Sequence, residues 1–399
     1  ALGDEGAEAG GEARADVRRR AVSQSLHPAA MLLTGRPFWQ GRRSALYARR
    51  VTTRARDEWK ASRVPGYRGF GGVYAGTASL AHLLTHHGRP VGEGALLALA
   101  GGVGFSYNVY PGPWGVHVAL GFDVPAGAGV LARTACERLG VVARVDETGN
   151  AAVAERSLLE TLQEGRPALL WGARGRLPWY RLRDELVPLV PHQWLAVGYQ
   201  PETDEVLVAD LASGPLRLPR ETLAAARQAL FSAKHRRMTI HDTAAPADLA
   251  TAARRGRRAG VETYKVPLLP GQGLPGLARW ADLLVDTEDA RGWPRLFAPG
   301  NGPNLYDALL AVFEAIELTT GGGALRSLLA HYLDRAGAGE LAERYRSLAD
   351  DWSALAHAAL PAEVPQLARA RRLLSERDRR LREAGAEALP EIGRIDRDL

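Results

Sequence analysis

The sequence predicts an α+β domain followed by an all-helical one, and three observations carry that prediction. The 399 residues are 46% hydrophobic and 24% charged, ordinary for a folded chain long enough to hold two cores. Between about residues 64 and 242, glycine turns alternate with apolar helical stretches and short β-rich runs. From about residue 273 onward the apolar residues recur at helical spacing. The expected division is an Arg/Gly/Ala-rich mobile extension over 1–62, a first domain over 63–242, a linker over 243–272 and a helical domain over 273–390.

Composition removes several classes of function. No run of 18 or more uncharged apolar residues occurs and the N-terminus has no apolar h-region, so neither a membrane span nor a secretory signal is expected and the default address is the cytoplasm. The single cysteine, Cys136, excludes an intrachain disulfide framework and a Cys-based zinc cluster. The formal charge of +6 comes from 51 Lys and Arg against 45 Asp and Glu, which implies mild attraction to acidic partners and no nucleic-acid footprint.

Taken in order, the glycine turn at Gly71-Gly72 opens into a helix whose Ala78, Leu80, Ala81, Leu83 and Leu84 fit one inward face, ending at His86-His87-Gly88. A second short helix is expected over 91–100, running into a glycine loop over 101–107. That loop lacks both the G-x-G-x-x-G spacing and a following Gly-Lys-Ser/Thr, so it predicts tight turns and not a phosphate cradle. Residues 130–139 read as a helix carrying Cys136 as a small core residue, 141–145 as a strand, 158–163 as a helix, and 168–171 as the start of a strand. A polar loop follows Leu177-Pro178-Trp179-Tyr180. Residues 191–199 and 205–210 then form a hairpin across the turn at 200–204. In the second domain helices are expected over 307–318, 325–335, 340–359 and 366–386, broken at Gly321-Gly322-Gly323. Arg326 there predicts helix packing or a buried ion pair.

Chemistry concentrates at the first helix and the hairpin. A nucleophile on the first turn of a helix meets the positive end of the dipole and unpaired N–H groups, which lower a thiol's pKa and hold an oxyanion. Position 75 is suited to that work, but its residue is Ala75. His192 starts one strand and Asp210 ends its antiparallel neighbour, so the two side chains share one end of the sheet, as a base and the carboxylate that orients it often do. Spacing alone leaves open a strand-edge histidine and a turn aspartate. Ser79, one turn below position 75, is the nearest substitute hydroxyl, and Thr77 faces away. His82 and His86, at i and i+4, read as half-buried helix histidines more readily than as metal ligands, and no metal site is expected. His117, placed in a loop near the site, is a candidate substrate contact. Trp171, Trp179 and Tyr180 fit a pocket lining or aromatic core packing equally well.

The runs V-P-G-Y-R-G-F-G-G-V-Y-A-G-T-A-S-L-A-H-L-L, L-A-G-G-V-G-F-S-Y, P-A-L-L-W, L-P-W-Y, H-Q-W-L-A-V-G-Y and V-L-V-A-D closely resemble the N-terminal domain of butirosin biosynthesis protein H. The later runs G-L-A-R-W-A-D-L-L, G-G-G-A-L-R-S-L-L-A-H-Y-L and L-A-D-D-W-S-A-L-A resemble the helical domain of unknown function that accompanies it. The resemblance implies a papain-like cysteine-enzyme fold. It implies transfer of an acyl group from the phosphopantetheine thioester of an acyl carrier protein to a small-molecule amine, with no cofactor bound by the chain itself. A homodimer is implied by the same resemblance. In that family the helix begins His-Cys, the cysteine being the nucleophile; Tyr74-Ala75 stands at the pair here, while His192 and Asp210 match the base and its acidic partner. Tyr74, Phe105, Tyr107, His117 and Trp179 are the candidate substrate contacts. Without its cysteine the chain is expected to be inactive in covalent transfer. Two other readings stay open: a non-catalytic scaffold that binds an acyl carrier or a peptide, and a peptidase or amidase.

Overall fold

A computed structural model describes residues 63–112, 115–123, 129–180, 190–243, 248–300 and 302–399. The extension expected over 1–62 and the polar loop after Tyr180 lie outside the described residues, the loop as far as residue 189. The architecture is α+β with a helical C-terminal region, the class the sequence predicts.

The first region opens with α1 (Ala75–His86) and α2 (Glu93–Ala100). The turn into α1 needs glycine: Gly71 and Gly72 take φ of 81° and 126°, and a Cβ on Gly72 would lie 2.4 Å from that of Ala78. A two-stranded antiparallel hairpin follows, β1 (Val103–Gly112) with β2 (Gly115–Asp123). The glycine stretch expected as a loop therefore continues into a strand from Val103. His117 lies on β2 opposite Tyr110, not in a loop. Val116, Val118, Leu120 and Phe122 recur at every second position of β2, while the glycines of both strands read equally well as turns.

Next come α3 (Val130–Leu139), β3 (Val142–Asp146), α4 (Ala151–Gln163), β4 (Ala168–Ala173), β5 (Pro191–Gln200), β6 (Glu205–Ala209), β7 (Leu216–Pro219), α5 (Arg220–Ala229) and β8 (Arg237–Asp242). The strands form one antiparallel six-stranded sheet in the order β3-β8-β4-β5-β6-β7. β4 is buried along its whole length and β5 through its middle, because helices cover both faces. Gly172, directly opposite His192, leaves room for the Ala226 carbonyl of α5, whereas the next side chain on β5, Gln193, reaches α1. Alternation along the strand thus sets α1 and α5 on opposite faces.

The helical region comprises α6 (Leu249–Lys265), α7 (Gly273–Leu283), α8 (Trp293–Leu296), α9 (Gly302–Phe313), α10 (Arg326–Arg335), α11 (Gly339–Ala359), α12 (Pro365–Ala384) and α13 (Leu389–Asp398). The stretch expected as a linker over 243–272 holds α6. Its buried residues, Ala252, Ala253, Gly256 and Gly260, are small, so no large apolar stripe marks it in the sequence. α9 runs on as a π-helical turn, Glu314–Leu318, and the chain then takes positive φ at five successive residues, from Gly321 through Ala324 and Leu325. Arg326 is buried, donates to the carbonyls of Ala324 and Gly104, and lies over the rings of Phe122 and Trp352. Burial lowers its pKa to about 10, and among the described residues its contacts are carbonyls and rings, with no carboxylate paired to it. Among the described residues no single helix is long and apolar enough to cross a membrane.

Candidate functional site

The hairpin of β5 and β6 brings His192 and Asp210 together at one sheet end. Asp210 follows the last residue of β6, with Leu195 paired to Ala209, so His192, Trp194 and Asp210 share a face. His192 Nε2 lies 3.0 Å from both carboxylate oxygens of Asp210. Three further groups donate to the same carboxylate: Trp179 Nε1 at 3.0 Å, Tyr180 Oη at 3.1 Å and the Leu211 N–H at 2.9 Å. The Asp210 side chain is 1% exposed and that of His192 9%. Burial alone would raise the Asp210 carboxyl; the His192 imidazole, the Trp179 N–H and the Leu211 N–H outweigh it and hold the group below the usual carboxylate range. An ionised carboxylate bound to Nε2 fixes that nitrogen as the protonated one, leaving Nδ1 with the lone pair. Among the described residues Nδ1 takes no hydrogen bond.

The same sheet end receives the start of α1. Gln193 Nε2 donates to the Gly76 carbonyl at 2.9 Å, and the Ser79 hydroxyl donates to the Gln193 carbonyl at 3.5 Å. Ala75 packs with Ala78 and Leu211, the residue next to Asp210. So the residues adjoining His192 and Asp210 in the chain are the ones that hold the helix carrying position 75. Ser79 is buried beneath this contact and its hydroxyl is engaged there.

The N-terminal amides of α1 are partly taken. Glu93, at the start of α2, accepts from Val73 N at 2.9 Å, Tyr74 N at 3.1 Å and the Thr77 hydroxyl at 2.7 Å. Its carboxylate caps the positive end of α1 from the neighbouring helix. The N–H groups of Ala75 and Gly76 find no acceptor among the described residues. Tyr74 turns its hydroxyl to Asp123 at 3.0 Å; burial raises both groups above their ordinary ranges, and the neighbouring Asp123 charge adds to the Tyr74 shift.

Four of the expected substrate contacts have other work. Phe105 is fully buried and stacks with Trp280 and Trp352. Tyr107 accepts from Trp293 Nε1 at 3.1 Å and packs on Trp280. His117 stacks on Tyr110 near the hairpin tip, about 20 Å along β2 from Asp123 at roughly 3.3 Å per residue. Trp179 is fully buried and its Nε1 donates to Asp210. Sequence reasoning missed Glu93 and the paired donors Trp179 and Tyr180. The residue types of Trp179 and Tyr180 signal that each seeks a polar partner when buried, but nothing local in the sequence names Asp210 as that partner.

Residues 75–211 match the family described as Butirosin biosynthesis protein H, N-terminal, and residues 221–385 match the one described as Domain of unknown function (DUF4872). No curated protein matches the chain.

Proposed function

The chain carries a butirosin biosynthesis protein H N-terminal domain joined to the helical domain of unknown function, and from that premise we propose an acyltransferase-like protein of natural-product biosynthesis whose covalent step is silenced at position 75. The observation that supports it best is the His192–Asp210 pair, built to act as a base, in which every carboxylate oxygen is engaged by donors. With a cysteine at 75, Nδ1 of His192 would take the thiol proton and the thiolate would attack an acyl thioester. The carrier thiol would leave with that proton, and an acceptor amine would then take the acyl group and release the cysteine. Asp210 would steady the imidazolium through both proton transfers. The amides of Ala75 and Gly76 are the oxyanion donors this scheme uses. The donor in this reading is the phosphopantetheine arm of an acyl carrier protein, and the acceptor is a small amine.

Ala75 offers no electron pair, and loss of a triad nucleophile costs about 10⁶ in turnover. That observation favours a second reading within the same site: the chain binds a carrier-borne acyl group without turning it over. Ala75→Cys separates the two. In a silenced enzyme the new thiol alkylates with iodoacetamide well below the ordinary thiol pKa of about 8.5, and His192→Ala on that background moves the pH profile up by about one unit or more. Coincident profiles with and without His192 remove the base from the mechanism and leave the binding reading. Cys136 serves as the internal control. It is 1% exposed, and burial pushes its thiol up to about 12, with Glu137 adding to the shift, so it stays unreactive in the folded chain.

A further inference from the structure

Two turns of α12 touch three chain segments around the site. Arg377, buried at 6% exposure, donates from Nη2 to the Trp179 carbonyl at 2.9 Å, and Trp179 in turn donates to Asp210. Arg377 is itself held by Asp396 of α13, whose Oδ1 lies 2.6 Å from Nε. Arg382 donates from Nη1 to the Gly72 carbonyl at 2.8 Å, and both its terminal nitrogens reach the Val73 carbonyl at 3.4–3.5 Å, immediately before Tyr74-Ala75. Its Nη2 also donates at 2.8 Å to the Leu318 carbonyl at the end of the π-helical turn. The backbone of the same helix accepts from the loop after Asp210: Ser213 N donates to the Arg382 carbonyl at 2.8 Å, and the Ser213 hydroxyl to the Glu383 carbonyl at 2.8 Å.

The left-handed run adds a contact by shape. A Cβ on Gly321 would lie 2.2 Å from Val73 Cγ1, so this turn is pressed against the segment that Arg382 grips. Positive φ at Ala324 and Leu325 is costly backbone, sustained only where surrounding contacts over-determine it.

We propose that α12 is a positioning clamp for the catalytic-type site: Arg377 sets Asp210 through Trp179, Arg382 sets the start of α1, and Ser213 ties the loop between them. The helical region is then the second half of the site, a role for the domain of unknown function that goes beyond the acyl-transfer reading. Arg377 and Arg382 are positioning residues, since neither touches the imidazole or position 75. A guanidinium shared among carbonyls fixes several segments at once, which an ammonium on a flexible stem does not.

The clamp is tested on the full chain by two readouts. The first is solvent exchange of the His192 Nε2–H by NMR, which depends on the Asp210 contact and on no nucleophile. Arg377→Gln is expected to speed it about tenfold, the scale of one charge-assisted hydrogen bond. Arg377→Lys restores part of the protection, and Arg382→Gln leaves it within about twofold. The second is alkylation of the Ala75→Cys variant, which Arg382→Gln is expected to slow about tenfold. Arg346→Gln, removing an exposed arginine paired with Asp334 and Glu343 on the same region, changes neither. If Arg377→Gln does not fold, Arg377→Lys, which keeps a charge beside Asp396 but loses the two-nitrogen grip, gives the milder form of the same loss. Lowered thermal stability with exchange and alkylation both unchanged would overturn the clamp. Faster exchange in Arg377→Gln with alkylation indifferent to His192 upholds the clamp and removes the acyl-transfer reading instead.

Discussion

Two buried carboxylates near α1 respond to pH with opposite signs. Burial raises Asp123 more than the Tyr74 hydroxyl lowers it, so the folded chain binds that proton more tightly than the unfolded chain does. Its contribution is therefore full below the ordinary carboxylate range and is lost as pH rises through the raised value. Asp210 runs the other way. Its carboxyl is held low against its burial, so the contribution is present above the ordinary range and lost as pH falls through the depressed value. Across mildly acidic pH the urea-midpoint difference between the parent chain and Asp123→Asn should shift against the parent as pH rises, since only the parent loses the Asp123 contribution there. Asp210→Asn should instead remove part of the loss in stronger acid. A difference between the parent and Asp123→Asn that stays constant with pH would mean that Asp123 titrates in the ordinary carboxylate range, its burial offset by the Tyr74 hydroxyl.

Small residues decide how the elements approach each other, most sharply where α6 crosses α2. A Cβ on Gly260 would sit 1.7 Å from the Gly101 carbonyl oxygen, and one on Gly256 2.4 Å from that of Ala98. Gly260→Ala should therefore destabilise the chain by about 1–3 kcal/mol or more, since the obstacle is backbone and cannot swing aside. Gly149→Ala, with nothing within 4 Å of the added carbon, should shift the denaturation midpoint little. Equal midpoints for the two variants would mean the crossing is looser than described. This crossing also shows what the sequence conceals. A helix buried through Ala252, Ala253, Gly256 and Gly260 has no large apolar stripe, and the stretch that holds it reads as a linker. The β5–β6 hairpin was legible because two apolar runs flank a polar turn, and the relation of His192 to Asp210 followed from strand ends alone. Trp179, Tyr180 and Arg377 were not legible as their supports. Their contacts with the site join residues 30 or more apart in the chain, and in the case of Arg377 to Trp179 the separation is 198, so no local period records them.

At the scale of the whole molecule, neither the sheet nor the aromatic core stops where the family boundary falls. The second matched segment begins at residue 221, inside α5, yet β8 lies beyond it and occupies the sheet position between β3 and β4. A chain cut after residue 219 would lose that inner strand, leaving β3 without its pairing partner and the covered face of β4 open where α5 had packed. A cut after residue 243 keeps all the strands but fails for a different reason. Phe105 and Phe122 of the β1–β2 hairpin pack on Trp280 and Trp352, Tyr107 packs on Trp280 and accepts from Trp293, and Gly104 accepts from Arg326. Removing the helical region would expose those rings together, a patch of the kind that monomeric proteins rarely tolerate. The 1–243 fragment should therefore bind a hydrophobic dye, elute as oligomer or aggregate in size exclusion, and show no cooperative melt in near-ultraviolet circular dichroism, whereas the full chain melts as one unit. A monomeric 1–243 fragment with a cooperative transition would make the two matched segments independent modules. The hairpin would then hold its fold without the aromatic core it shares with α7 and α11.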